Sequence, residues 1–242
     1  MSLYSLAYGD ERIRFSVRFL PRTRRRVSIH VMPDGSVQVD APEFAEIPQI
    51  KQAVRVRAGW VWQQLEALRA RRHHVLPREY VSGETHFYLG RRHMLKVQVA
   101  GQADAGVRLW RGRLEITVAE RNAADVRKLL EAWYRRRAQE VLGRILMDMA
   151  ASMRLLKSLP RYRLLSMRTQ WGSCSPKGEL LFNPALIKAP RACIEYVVAH
   201  ELCHLKEKNH SDRFYRLLAA AVPDWQTRKR ELDDLAEQLL NR

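Results

Sequence analysis

From about Ala123 to Leu156 the apolar side chains Val126, Leu129, Leu130, Trp133, Ala138, Val141, Leu142, Ile145, Leu146, Met149 and Met153 return every three or four residues, with no proline until Pro160. That spacing predicts one long α-helix, ended by Pro160, with the Arg135-Arg136-Arg137 run turned to solvent. The chain before it reads differently. Ile13, Phe15, Val17 and Phe19 alternate with Arg12, Arg14, Ser16 and Arg18, the pattern of a half-buried strand. Val27–Val31 and Val37–Val39 flank Pro33-Asp34-Gly35, a hairpin signature. Further strands are expected over Thr85–Leu89, Leu95–Val99, Val107–Trp110 and Leu114–Val118, with a single helical pattern from Pro48 to Arg72 between the two groups. No internal repeat is evident.

After Pro160, short strands are expected around Arg163–Met167 and Leu180–Phe182, then three helices starting near Pro190, Ser211 and Asp224. The chain is therefore read as α+β. A β-rich N-terminal region with one helix covers 1–120, and a helical domain with a small sheet covers 121–242.

At 242 residues, 46% hydrophobic and 29% charged, the chain can build a sizeable core and is not low-complexity or disordered. Its apolar stretches are too short for a transmembrane helix. The N-terminus lacks a basic region ahead of an apolar one, and three cysteines make no disulfide framework, so a reducing cytoplasm is the expected compartment. Lys and Arg exceed Asp and Glu by 17, and the last 42 residues are balanced, so the excess lies upstream. Runs such as Arg24-Arg25-Arg26 would attract a nucleotide or nucleic acid. The plainer reading is an Arg-rich solvated surface, because aromatic stacking platforms are not interleaved with the runs.

His200-Glu201-Leu202-Cys203-His204 spells H-E-x-x-H within a helical segment. Positions four apart share a helix face, so both imidazoles can reach one cation at about 2.0–2.1 Å. Glu201 can then take the proton of a water activated there. A third ligand is needed, and His210 follows six residues after His204. For His210 to swing back the helix must break; Asn209, tolerant of the left-handed conformation, is the expected breaker, with Ser211 capping the next helix. Glu207 and Asp212 are fallback ligands, though each reads equally as a solvated helix-end charge. The motif alone is a weak signal, and the third histidine with the strand upstream strengthens it.

The blocks Arg168-Thr169-Gln170-Trp171-Gly172-Ser173-Cys174-Ser175, Leu181-Phe182-Asn183, Tyr196–Leu205, Asn209-His210-Ser211 with Phe214, and Phe87–Arg91 resemble the YgjP-like metallopeptidases, zincins with SprT-like and WLM proteases as relatives. The resemblance implies a minimal gluzincin-like domain, a Zn2+ ion on His200, His204 and His210, catalysis by Glu201 and a polypeptide substrate. Glu207 stands where metzincins have glycine and no Met-turn follows, so this is not read as a metzincin.

In zincins the strand before the active-site helix commonly edges the cleft and pairs with an extended substrate. Trp171 would wall that cleft, Gly172 would permit close backbone approach, and Arg168 would steady an oxyanion or a phosphate. A structural turn packed on the helix, with a surface Arg168, is the alternative. Cys174 reads either as a thiolate reaching the metal or as a small packed residue, while Cys193 and Cys203 read as packing. Three functions compete: a zinc peptidase, a nucleoside-triphosphate pyrophosphatase on the same site, and a DNA-associated binding protein.

Overall fold

The computed structural model describes residues 2–9, 11–21, 27–32, 35–72, 78–100, 105–153, 158–167 and 170–241. The Arg24–Arg26 run, Pro33 and Asp34, His73, His74 and Arg168 lie outside the described residues. The chain forms two compact units, Met1–Leu76 and Pro77–Arg242.

In the first unit, β1 (Ser2–Tyr8), β2 (Glu11–Leu20), β3 (Ser28–Val31) and β4 (Val37–Pro42) form a sheet of order β1-β2-β4-β3. The β2–β4 pair is parallel and the other two are antiparallel. Alternation holds for Ile13, Phe15 and Val17 of β2, which are buried with Val37, Val39 and Ala41 of β4, but not for Phe19, which lies near the end of the strand and is 43% exposed. They pack with Ile50 and Val54 of α1 (Ile47–Val56) and Ala58 and Val61 of α2 (Ala58–Arg72). One helix was expected here, and the structure has two. At Arg57 the backbone leaves the helix (φ −106°, ψ 10°). The buried stripe Val54, Ala58, Val61 runs straight across that break, so apolar spacing does not reveal it.

In the second unit, β5 (Thr85–Tyr88), β6 (Arg91–Val99), β7 (Gly106–Trp110) and β8 (Arg113–Val118) form a second sheet of order β5-β6-β8-β7. Its pairings repeat those of the first, with β6–β8 parallel and the outer pairs antiparallel. Each sheet runs into a helix. The molecule therefore has an internal structural repeat that the sequence does not announce, because strand alternation constrains polarity and leaves residue identity free.

The units part at 76/77 rather than near residue 120. The reason is burial: Leu95, Leu114, Ile116 and Val118 of the second sheet share one core with Val126, Leu130 and Trp133 of α3 (Ala123–Met153) and with Ile194 and Val198 further on. Of the three-arginine run in α3, Arg135 and Arg136 are exposed and Arg137 is half-buried.

Beyond α3 lies a small sheet of β9 (Tyr162–Leu164), β10 (Gly172–Cys174) and β11 (Leu180–Phe182), order β10-β11-β9. A short 3-10 turn, Pro184–Lys188, leads into α4 (Arg191–His204), followed by α5 (Asp212–Ala221) and α6 (Trp225–Leu240). Among the described residues no helix is long and apolar enough to cross a membrane.

Candidate metal centre

The helix α4 is buried on nearly every side: Cys193, Ile194, Val197, Val198, Ala199, Leu202 and Cys203 are all core residues. Pro190, placed just ahead of the first helical residue, starts it at a φ of −54° that suits helix entry. A helix held this firmly fixes the positions of His200 and His204, one turn apart. Their Nε2 atoms lie 3.2 Å from each other, and the Nε2 of His210 lies 3.0 Å from that of His200. Among the described residues these three form a cluster that could hold a metal ion, with ligand atoms all within 4.8 Å of one another.

The chain returns to deliver His210, and the expected device is corrected. Asn209 is not among the described residues with positive φ. The helix instead closes at Leu205, where the carbonyls of Leu202 and Cys203 accept from the amides of Leu205, Lys206 and Glu207. Tightened i→i+3 bonds of this kind satisfy the last carbonyls and turn the chain without a left-handed residue. Ser211 caps α5 as expected, accepting from the Phe214 amide.

Phe214, one of the residues that carry the family resemblance, is fully buried, and its ring centroid lies 4.7–4.9 Å from all three imidazoles. It is the apolar wall that fixes their orientation. The signal was there in its place one turn into the helix after His210. Tyr215 stacks on His210 and in turn on Trp225.

Burial, then the neighbouring His204 and His210, push His200 down to about 3, and burial lowers His204 as well. Neutral imidazoles present lone pairs, which is the form a cation requires. The Nδ1 of His204 lies 3.1 Å from the Glu207 carbonyl, which accepts its proton and leaves Nε2 facing the cluster. Three converging neutral nitrogens fit a divalent ion. Glu207 and Asp212 are outside the cluster; the Glu207 carboxylate lies 3.9 Å from Arg213.

Glu201 is 5% exposed, and burial alone pushes its carboxyl up to about 8. Its Oε2 has no hydrogen-bond partner among the described residues. The other oxygen faces Gly172: a Cβ built there would stand 2.8 Å from Glu201 Cγ and 2.9 Å from Oε1. Only glycine lets the edge strand β10 approach the carboxylate this closely.

Trp171 is half-buried against the core, and its carbonyl accepts from the Asn183 amide. Asn183, fully buried, also donates its side-chain amide to the carbonyls of Met167 and Gln170, tying down the segment that enters β10. This anchor had no site signal in the sequence beyond its place after Leu181-Phe182. Cys174 lies outside the histidine cluster, and burial followed by the Glu201 charge raises its thiol, favouring the protonated form. Cys193 and Cys203 are fully buried.

A family profile described as "YgjP-like, metallopeptidase domain" matches residues 25–235. The chain belongs to the YgjP-like family. Membership in this metallopeptidase-type family implies a hydrolase with a divalent metal, and the histidine cluster is able to hold one. A stretch of 58 residues is 36% identical to the UTP pyrophosphatase of Escherichia coli (strain K12), covering 24% of this chain and 35% of that protein. The chain thus spans about a third of the length of that curated relative. Among solved structures it is similar to the metallopeptidase zymogen abylysin of Pyrococcus abyssi (20% identity, 42% of this chain, 97% of that one, TM-score 0.36). The zymogen jannalysin of Methanocaldococcus jannaschii gives 22%, 41%, 93% and 0.32. At such scores neither likeness carries an argument here.

Proposed function

We propose that this YgjP-like protein is a zinc-dependent peptidase, with His200, His204 and His210 as ligands and Glu201 as the group that moves the proton. The observation that carries the reading is the combination of three converging imidazoles with a buried Glu201 carboxylate, next to His200 in the chain and pressed by the backbone of the edge strand β10. A zinc ion there supplies Lewis acidity, polarising a substrate oxygen and bringing the pKa of water down to about 7.

The rest is work for the chain. The Glu201 carboxylate accepts the proton of the attacking water and returns it to the departing amine nitrogen. Burial, which raises the Glu201 pKa, makes it a better base, while the positive charge of the loaded site pulls in the opposite direction and keeps it ionised. Gly172 lets the backbone of β10 close over one side of the carboxylate, which sets the direction in which its oxygens face. Among the described residues β10 pairs with β11 on one side only, so an extended polypeptide can add along the other edge, with Trp171 as a wall. Arg168 is the proposed partner for negative charge developing on the substrate.

A second reading keeps this machinery and changes the substrate to a nucleoside triphosphate. It is favoured by the stretch resembling a UTP pyrophosphatase and by the net charge of +17. One reaction mixture tests both. Zinc-loaded protein is incubated with unfolded polypeptides and nucleoside triphosphates, with Glu201→Gln as control, and the products are identified by mass spectrometry. New peptide termini that vanish in the variant establish the peptidase. Nucleoside monophosphates that vanish in it establish the pyrophosphatase, and turnover that survives in the variant removes Glu201 from the mechanism.

A further inference from the structure

The second unit holds a cavity of about 280 Å3 that none of the three histidines nor Glu201 lines. Its walls carry four cationic side chains, Arg78, Lys128, Arg135 and Lys188, against one carboxylate, Glu131. Arg78 is the informative one. Its side chain is 9% exposed, and its Nε is buried with no hydrogen-bond partner among the described residues. The opposite end of the guanidinium is in use: Nη1 donates to the Thr85 carbonyl at 2.6 Å and lies 3.5 Å from the Glu84 carboxylate. Nε is thus left without a protein acceptor among the described residues, in a guanidinium that belongs to the cavity wall. An arginine N–H buried in this way costs free energy unless something meets it.

A second side chain points the same way. Lys188 donates to the Leu239 carbonyl and lies over the Tyr134 ring, which fixes its charge at the cavity. Burial above all, and then the charges of Arg78 and Lys188, push the neighbouring His86 down to about 3, so it adds no cation of its own; its Nε2 lies 3.3 Å from the Glu84 carboxylate.

We infer that this cavity is a second ligand site, taking a phosphate group through Arg78 and the cations around it. One carboxylate ligand would leave most of the charge unmatched, whereas a phosphate brings close to two negative charges. The volume admits inorganic phosphate or a small phosphate monoester and excludes a folded partner. The floor of the cavity includes Asn183 and Lys188, so the ligand borders the turn that leads into α4.

Calorimetric titration of the full-length, zinc-loaded protein tests this, with inorganic phosphate, phenyl phosphate and benzoate as probes. One saturable phosphate site is expected, with benzoate binding much more weakly. Tighter binding of phenyl phosphate than of inorganic phosphate identifies a monoester as the ligand, and the reverse order identifies free phosphate. Arg78→Gln should weaken binding by about tenfold or more, the scale of a lost charge-assisted bond. Lys128→Gln, at an exposed position where folding is not at stake, should weaken it roughly two- to fivefold. His204→Ala should leave binding unchanged. The inference is overturned by the absence of saturable binding, by its loss in His204→Ala, which would locate the anion at the histidines, or by unaltered affinity in both Arg78→Gln and Lys128→Gln.

Discussion

The two four-stranded sheets share strand order and directions, yet each is held differently at the turn between its first two strands. In the second sheet the β5–β6 turn is gripped from outside: the Leu89 and Gly90 amides donate to the Ile187 and Lys188 carbonyls. A Cβ on Gly90 would fall 2.9 Å from Pro190 Cα, directly ahead of α4. The Tyr134 hydroxyl donates to the Phe87 carbonyl, tying α3 to the same strand. In the first sheet the corresponding turn is at Gly9, and a Cβ there would meet nothing within 4 Å. Even the ion pairs match in register. Arg18 of β2 stands opposite Asp40 of β4, and Lys96 of β6 opposite Glu115 of β8. One topology thus serves twice, and in the second copy the turn is seated at the entry of the helix that carries the histidines.

The largest difference should come from changes at the site itself. Glu201→Gln should lower turnover by roughly 10²–10⁴ while zinc, measured by atomic absorption, stays bound. His204→Ala should lose the zinc. Full activity in the first variant, or full metal content in the second, breaks the assignment.

The two turns come next. Gly90→Val meets the Pro190 backbone at a φ of +77° and should cost about 3 kcal/mol or more, with loss of metal. Gly9→Val, at a φ of +59° in open space, should cost about 1–2 kcal/mol of backbone strain and leave zinc binding intact. Equal losses in thermal denaturation would show that the seated turn is not the distinguishing feature.

Acid should separate the sheets as well. His86 of β5 is held neutral, its pKa pushed down to about 3 by burial and by Arg78 and Lys188. The unfolded chain therefore binds the extra proton first, and this part of the stability falls as pH drops from about 6.5 toward 3. Asp40 of β4 resists the upward pull of burial through hydrogen bonds from His30, Arg18 and Gln38, which hold it below the ordinary carboxylate range. Its contribution is lost only below about pH 4, as the unfolded carboxylate takes up its proton. Hydrogen exchange at pH 4.5, read on peptides from each sheet, should show the second sheet weakened by roughly 2–3 kcal/mol. Substituting His86→Gln should flatten that dependence.

The smallest contrast concerns the matched ion pairs. Arg18 grips Asp40 with two hydrogen bonds at 3.0 and 2.8 Å, whereas Glu115 keeps Arg108 at 2.7 Å when Lys96 is removed. Arg18→Ala should cost about 1–2 kcal/mol and Lys96→Ala under about 0.5 kcal/mol in urea denaturation.

What could be read from the chain follows from the range of each signal. The placing of His200 and His204 on one face is legible because helical spacing acts over four residues. His210 is legible because a short excursion must return it. Strand alternation gave Ile13, Phe15 and Val17 their inward face for the same local reason. The break at Arg57 escaped because burial continues across it. The boundary at 76/77 escaped because only packing shows that Leu114 and Ile116 share a core with Val126 and Leu130.

Sequence by itself determined the α+β layout, the histidine set and the acidic neighbour, since each is written within a few consecutive turns or strands. Tertiary structure alone decided that Gly172 presses against Glu201, that Phe214 backs all three imidazoles, and that two sheets share one topology. It also decided that Arg78 and Lys188 meet around a cavity. These depend on contacts between residues far apart in the chain, where close packing, not periodicity, sets which side chains meet.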